Sequence, residues 1–102
     1  MVDFDALPAA ARAQLAATRM PVRVDAMAAT LTSDRFSDPD WIYERKLDGE
    51  RCLAFADDSG VRLMTRNQHE ITNTFPEIAG ALASQGHEPC VVDGEIVWER
   101  PP

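Results

Sequence analysis

Residues 44–51 read ERKLDGER, and Lys46 in this stretch is the one lysine among ten basic side chains, the other nine being arginines. A guanidinium stays protonated in ordinary protein surroundings, whereas an ε-amine can be tuned to its neutral form and then attacks electrophiles. A lone lysine followed by Asp48, Gly49 and Arg51 therefore has the composition of a nucleophilic site. The same residues also suit a solvated lysine in front of a Leu-Asp-Gly turn, and a motif this short stands as a hypothesis until its context agrees. A second set of polar groups, Asp93 and Glu95, interrupts the apolar run CVVDGEIVW at 90–98. Two residues apart in a strand, they share a face, and carboxylates in an apolar run are costly if simply buried. They either reach solvent at a strand end or face a polar site.

The elements that must position these residues can be read from periodicity. WIYER (41–45), RCLAFA (51–56) and VRLMTR (61–66) read as strands, with DDSG (57–60) as a turn, giving a short antiparallel meander. In residues 41–46 the two-residue period places Glu44 and Lys46 on one face and Trp41 and Tyr43 on the other. FPEIAGALASQG (75–86) predicts a helix, with Phe75, Ile78, Ala79 and Leu82 at helical spacing, Thr74 as N-cap, Pro76 early and Gly86 at the end. In the strand at 90–98, Gly94 marks a bulge or a close approach of backbone or ligand. Nearer the start, PAAARAQLAA (8–17) predicts a helix whose stripe of Leu7, Ala11 and Leu15 either docks thinly or leaves a mobile arm. Residues 20–40 read as an irregular wrap anchored by Met27, Leu31 and Phe36. The fold class is α+β, an antiparallel sheet with helices.

Composition narrows the function classes. With 102 residues, 45% of them hydrophobic and 26% charged, the chain is one soluble globular domain or part of one. A net charge of −7 argues against the chain alone as a nucleic-acid clamp, because phosphate binding is driven by clustered Lys and Arg, so any DNA contact must be local. The N-terminal stretch lacks the basic-then-apolar order of a secretion signal, and no apolar run approaches bilayer length, so a cytoplasmic protein with no membrane partner is expected. Cys52 and Cys90 have no metal-ligand spacing and are expected to be reduced, small buried hydrophobes; no metal-ligating set is identified.

Three blocks in fixed order, ERKLDGER (44–51), TRNQHEITNTFPEI (65–78) and VVDGEIV (91–97), together resemble the covalent nucleotidyltransferases, most closely the ATP-dependent DNA ligases of bacterial end-joining type. The lead-in AATLTSDRFSDPDWIY is similar to these ligases too, so the resemblance covers roughly residues 27–98. It implies that Lys46 attacks the α-phosphate of ATP, expels pyrophosphate and becomes a lysyl-AMP; the AMP then activates a nicked DNA 5′-phosphate for attack by the 3′-hydroxyl. ATP, Mg2+ and nicked double-stranded DNA are thereby implied for the full-length enzyme. By position in the motifs, Glu44 would accept a hydrogen bond from the adenine 6-amino group, favouring ATP over GTP because guanine presents an acceptor there. Arg51 and Glu95 would hold the ribose and nearby phosphate, and Arg66 would meet the 5′-phosphate of the nick, for which a bidentate guanidinium is suited. Asn67, His69 and His87 read as surface or loop residues. The chemistry also sets a demand, since an unperturbed lysine, with a pKa near ~10.4, is neutral only a few parts in ten thousand at pH 7. Arg45, Arg51 and a bound metal would depress that value, while Asp48 opposes unless it is turned away. Gly49 would let the loop pass close to the phosphates.

The resemblance further implies an adenine-stacking aromatic, a metal-holding Glu-Gly block, a Lys-x-Lys block and an OB-fold, none of which this sequence contains. Lys46 being the only lysine, no second one is there to neutralise a triphosphate. The expected organisation is an N-terminal helical arm and connection over 1–26, then, over 27–102, the first half of a covalent-nucleotidyltransferase (ATP-grasp-like) adenylation domain, inactive alone. Uncovered strand edges lead to an expectation of self-association. Two other readings stand beside this one: a non-catalytic binding or assembly module keeping the motif by descent, and another nucleotidyltransferase such as an RNA ligase or capping enzyme. Glu44 and the TRNQHEITNTFPEI block argue against the latter.

Overall fold

The computed structural model describes residues 4–15, 18–86 and 89–99. Its centre is a three-stranded antiparallel sheet built from β1 (Glu50–Asp57), β2 (Gly60–Thr65) and β3 (Cys90–Ile96), in the order β2-β1-β3. β1 carries the unbroken run Cys52–Ala56, which suits the one strand with neighbours on both edges. It is followed by a tight hairpin in which Asp57 pairs with Gly60. The Asp57 carboxylate closes this turn by accepting hydrogen bonds from the Ser59 backbone N–H at 2.8 Å and its hydroxyl at 2.5 Å, which holds the carboxyl below its usual range. β3 pairs with β1 in continuous register from Glu50↔Ile96 to Ala56↔Cys90. Of the bulge or close approach expected at Gly94, the bulge does not form, since Gly94 stands opposite Cys52 within the ladder, and no backbone comes close, since a side chain there would meet open space.

Alternation along β1 divides the core in two. Cys52 and Ala54, with Leu63 of β2, face α2 (Pro76–Ala83), and Phe75, Ile78, Ala79 and Leu82 pack on them with the helical spacing expected from the sequence. Burial on this face pushes the Cys52 thiol up from its usual pKa; Cys52 and Cys90 are both free thiols. The helix begins at Phe75 with no side-chain cap, so Thr74 is not the N-cap; its N–H instead bonds to the Ile71 carbonyl at 3.1 Å, in the turn leading to the helix. Gly86 takes a left-handed φ of 58° just beyond the helix end, a conformation that favours glycine.

Leu53 and Phe55 alternate onto the opposite face and are only 3% and 5% exposed. Across that face run residues 22–27, held by hydrogen bonds to their carbonyls: Arg62 to Val22 at 2.8 Å, Gln68 to Val24 at 3.2 Å and Arg51 to Met27 at 3.0 Å. Arg62, opposite Phe55 in the β1–β2 register, also stacks its guanidinium over that ring at 4.3 Å. Residues 20–40 are thus the wrap expected from the sequence, but the anchors differ. Met27, Leu31 and Phe36 are exposed, and the half-buried residues are Met20, Val24, Ala26 and Asp38, with Val24 and Ala26 two residues apart as in an extended segment.

Two expected elements are altered. Residues 41–45 form no strand: no described strand pairs with them, and an extended segment without a ladder partner leaves its backbone polar groups to solvent. The aromatic residues there gather locally instead. Phe36 packs edge-on against Trp41 at 5.2 Å and near Tyr43 at 6.0 Å, and the Tyr43 hydroxyl accepts the Asp38 N–H at 2.7 Å. The helix expected over 8–17 is one turn, α1 (Ala9–Arg12), preceded by a 3-10 turn at Phe4–Ala6; neither has a buried residue, and residues 16 and 17 lie outside the described set. A turn this short gains little from propensity without a packed face.

Candidate functional site

The face of the sheet crossed by residues 22–29, the strap, ends in two adjoining clefts. One, about 810 Å³, lies between the loop that leads into β1 and residues 93–95 of β3, and is lined by Glu44, Lys46, Asp48, Arg51, Asp93 and Glu95. The other, about 610 Å³, lies between Ala26–Ala29 of the strap and the tip of β2, and is lined by Arg51, Arg66, Asn67, His69 and Glu95. The five residues singled out in the sequence, Glu44, Lys46, Arg51, Arg66 and Glu95, therefore all border this pair of clefts, with Arg51 and Glu95 common to both. Glu44 and Lys46 reach the same opening without the strand expected to align them.

Register explains the gathering. Directly opposed residues in an antiparallel pair point to the same face, so Arg51 and Glu95 emerge together, with Asp93 two residues along β3. Gly49 sets the approach of the lysine loop: a Cβ at this position would run into the Ile96 carbonyl oxygen and sit 2.8 Å from Val97 Cγ1. Here the glycine is required by close contact with β3.

The electrostatics depart from the sequence-based expectation at two points. Lys46 Nζ donates to Asp48 Oδ1 at 2.7 Å, and both side chains are well exposed. Hydrogen bonding to Asp48, then its charge, raises the lysine pKa above the ordinary value, with Glu95 adding in the same direction, and the Asp48 carboxyl is lowered in return. Asp48 is thus turned toward the amine, and Lys46 is held as an ammonium. The second departure concerns Arg51, whose partner is Asp93: Nε and Nη2 each lie 2.6 Å from one of its carboxylate oxygens, while Nη1 bonds the Met27 carbonyl. The guanidinium in turn holds the Asp93 carboxyl below its usual range. Sequence reasoning placed Asp93 on the correct face but gave it no role; the partner of a diagonal pair is visible only once the register is known.

Asn67 and His69, read from sequence as plain loop residues, line the second cleft beside Arg66. His87 lies outside the described residues. Arg66 and Asn67 make no side-chain hydrogen bond or ion pair among the described residues, so these donors are open to an incoming acceptor. Among the described residues no group of three or more His, Cys, Asp or Glu side chains could hold a metal ion, and no helix is long and apolar enough to cross a membrane.

Comparison with known proteins gives a family for this arrangement. The family described as ATP dependent DNA ligase domain matches residues 21–101. DNA ligase C1 of Mycolicibacterium smegmatis is 45% identical over 60 residues, 59% of this chain and 17% of that protein. The multifunctional non-homologous end joining protein LigD of Pseudomonas aeruginosa is 45% identical over 58 residues, 57% of this chain and 7% of its own length. The bifunctional non-homologous end joining protein LigD of Bacillus subtilis is 43% identical over 76 residues, 70% of this chain and 12% of its own. The chain spans less than a fifth of each of these relatives. No solved structure matches it.

Proposed function

Because the chain belongs to the ATP-dependent DNA ligase domain family, with its matched region part of a ligase adenylation domain, we propose that Lys46 is the residue that takes up AMP from ATP. In this reading the neutral Nζ forms a bond to the α-phosphorus as the bond from that phosphorus to the bridging oxygen breaks and pyrophosphate leaves. The ammonium must first lose its proton to solvent, and Asp48, whose hydrogen bond at 2.7 Å and charge hold that proton on the amine, opposes the loss until it turns away. Glu44 accepts from the adenine 6-amino group, Arg51 and Glu95 hold the ribose and adjoining phosphate, and Arg66 receives the 5′-phosphate of nicked DNA. The observation that carries this reading is the shared lining: Glu44, Lys46, Arg51 and Glu95 border one cleft, and Arg51 and Glu95 continue into the one that holds Arg66.

The same reading makes the sheet and its helix the first half of an ATP-grasp-like adenylation domain over 27–102, joined to an arm and connection over 1–26 that carries Val22 and Val24 of the strap, and acting in the cytoplasm where nicked DNA is found. A divalent metal accompanies ATP chemistry in such enzymes, and among the described residues no group of three or more carboxylate, His or Cys side chains could hold one. The Lys46–Asp48 pair fits a resting state, with the amine released once the cations of a complete site draw the Asp48 carboxylate away.

The test is incubation with α-labelled ATP and magnesium. The chain alone is expected to take little label, because positioning and charge stabilisation are incomplete. Adding the C-terminal part of a related ligase's adenylation domain with its OB-fold should restore a label that acid removes, as a phosphorus–nitrogen bond requires. Efficient labelling of the chain alone would contradict the half-site reading.

A further inference from the structure

The turn that carries Arg66 contains a backbone feature that local needs do not explain. Gln68 has φ 65°, and among the described residues it is the one non-glycine in the left-handed region. Side chains with a Cβ adopt this conformation at a steric cost that glycine avoids, and outliers of this kind persist where the surroundings impose them. The turn itself is closed by backbone and hydroxyl contacts: the Gln68 N–H bonds the Thr65 carbonyl at 3.0 Å, the Thr65 N–H bonds the His69 carbonyl at 2.8 Å, and the His69 N–H bonds Thr65 Oγ1 at 3.1 Å. A glycine would complete that closure without strain. What glycine lacks is the half-buried Gln68 amide, whose Nε2 donates to the Val24 carbonyl at 3.2 Å, across 44 positions in the sequence.

We propose that Gln68 is a positioning residue that fixes the Arg66 turn against the strap and so sets the width of the cleft between them. Of the three side chains that hold the strap, Arg62 lies on β2 and Arg51 on β1, and Gln68 alone belongs to the turn that bears Arg66. The cleft walls are Ala26–Ala29 on one side and Arg66, Asn67 and His69 on the other, so a change at the Gln68–Val24 contact moves one wall relative to the other. Lys46 lines the neighbouring cleft and depends on Gly49 and β3 for its place. The functional part of this inference rests on the assignment of Arg66 to the DNA 5′-phosphate, and it separates two steps. Loss of the tether should impair transfer of AMP to DNA and spare the uptake of AMP.

Two variants remove the tether by different routes. Gln68→Gly relieves the left-handed strain and deletes the amide; Gln68→Glu keeps the length and replaces the donor with a carboxylate that the Val24 carbonyl repels. In the chain supplemented with the C-terminal part of a related ligase, both variants should retain Lys46 label within about two-fold and lose at least about ten-fold in sealing of a nicked duplex, with Gln68→Gly melting no lower than the parent. Equal loss in both steps, or sealing unchanged, would overturn the proposal. The tether can also be read without any activity: by nitrogen-15 relaxation on the chain itself, order parameters over Val22–Met27 should drop to about 0.6 or below in both variants. Unchanged order parameters would overturn it. Absence of Lys46 label in the parent protein would instead count against the proposed function, leaving the relaxation result to decide on the tether.

Discussion

Arg51 and Asp93 meet fork to fork across the β1–β3 pair, with Nε and Nη2 each 2.6 Å from a separate carboxylate oxygen. The remaining nitrogen of the same guanidinium, Nη1, donates to the Met27 carbonyl, so one side chain joins the central strand, the edge strand and the strap. Both groups are partly exposed, which limits the stabilisation but leaves the geometry specific.

A pH dependence follows from this pair. The Asp93 carboxyl is lowered in the folded state, so its contribution is fully present above the unfolded value near ~3.9 and is lost as pH falls through the lower folded value. Asp57, lowered by Ser59, acts in the same window. Urea unfolding between neutral pH and pH ~2 should show stability falling on the acid side. Asp93→Asn should be less stable than the parent at neutral pH and lose less on acidification.

The Lys46–Asp48 contact gives a second expectation. Because Lys46 is the only lysine, its modification by an amine-acylating reagent can be assigned by peptide mass, apart from the N-terminal amine. Asp48 raises the lysine pKa, so Asp48→Asn should shift the pH profile of Lys46 acylation toward lower pH. An unchanged profile would show that the contact has no influence on the amine in solution.

The Gly49 approach to β3 gives a third. Gly49→Ala would press a methyl group on the backbone of Ile96 and on Val97, neither of which can yield without moving the strand end. A loss of roughly 1–3 kcal/mol is expected, the usual range for overpacking, measurable by denaturant unfolding. Gly94→Ala in β3, whose new methyl meets open space, is the control and should cost less.

Much of the sheet was legible because its signals are local. The apolar run of β1, the Asp-Asp-Ser-Gly turn and the stripe of Phe75, Ile78, Ala79 and Leu82 need no knowledge of the rest of the chain, and all appear where their patterns lie. The segment 41–45 has the same local pattern and is not a strand, since strand formation depends on a partner that its own residues cannot report. The candidate site was legible for the same reason as the sheet: Glu44, Lys46, Arg51, Arg66 and Glu95 stand in recognisable blocks. Asp93 and Gln68 escaped because their importance comes from partners 42 and 44 positions away. Asp48 was recognised as a residue opposing a depressed lysine, but its rotamer, toward or away, was not in the sequence.

The uncovered parts of the structure bear on assembly. The outer edge of β2 is partly covered by residues 69–72, which leaves β3 as the open sheet edge, and beyond β3 stand Val97 and Trp98, the latter 86% exposed, with Ile42 and Tyr43 exposed nearby in sequence to the lysine loop. Free strand edges and exposed apolar side chains favour self-pairing, most often with two-fold symmetry. Sedimentation or light scattering at tens of micromolar should find dimers or larger species. A clean monomer would show that this edge is protected in solution.

The most direct test of the central claim is the chemical location of AMP in the complemented protein. With one lysine in the chain, a lysyl phosphoramidate has a single address, and peptide mass mapping of the labelled protein should find AMP at Lys46, removed by acid and absent from Lys46→Arg, where the guanidinium keeps the charge without an amine nucleophile. AMP found on another residue of the chain, or label that persists in Lys46→Arg, would contradict the account.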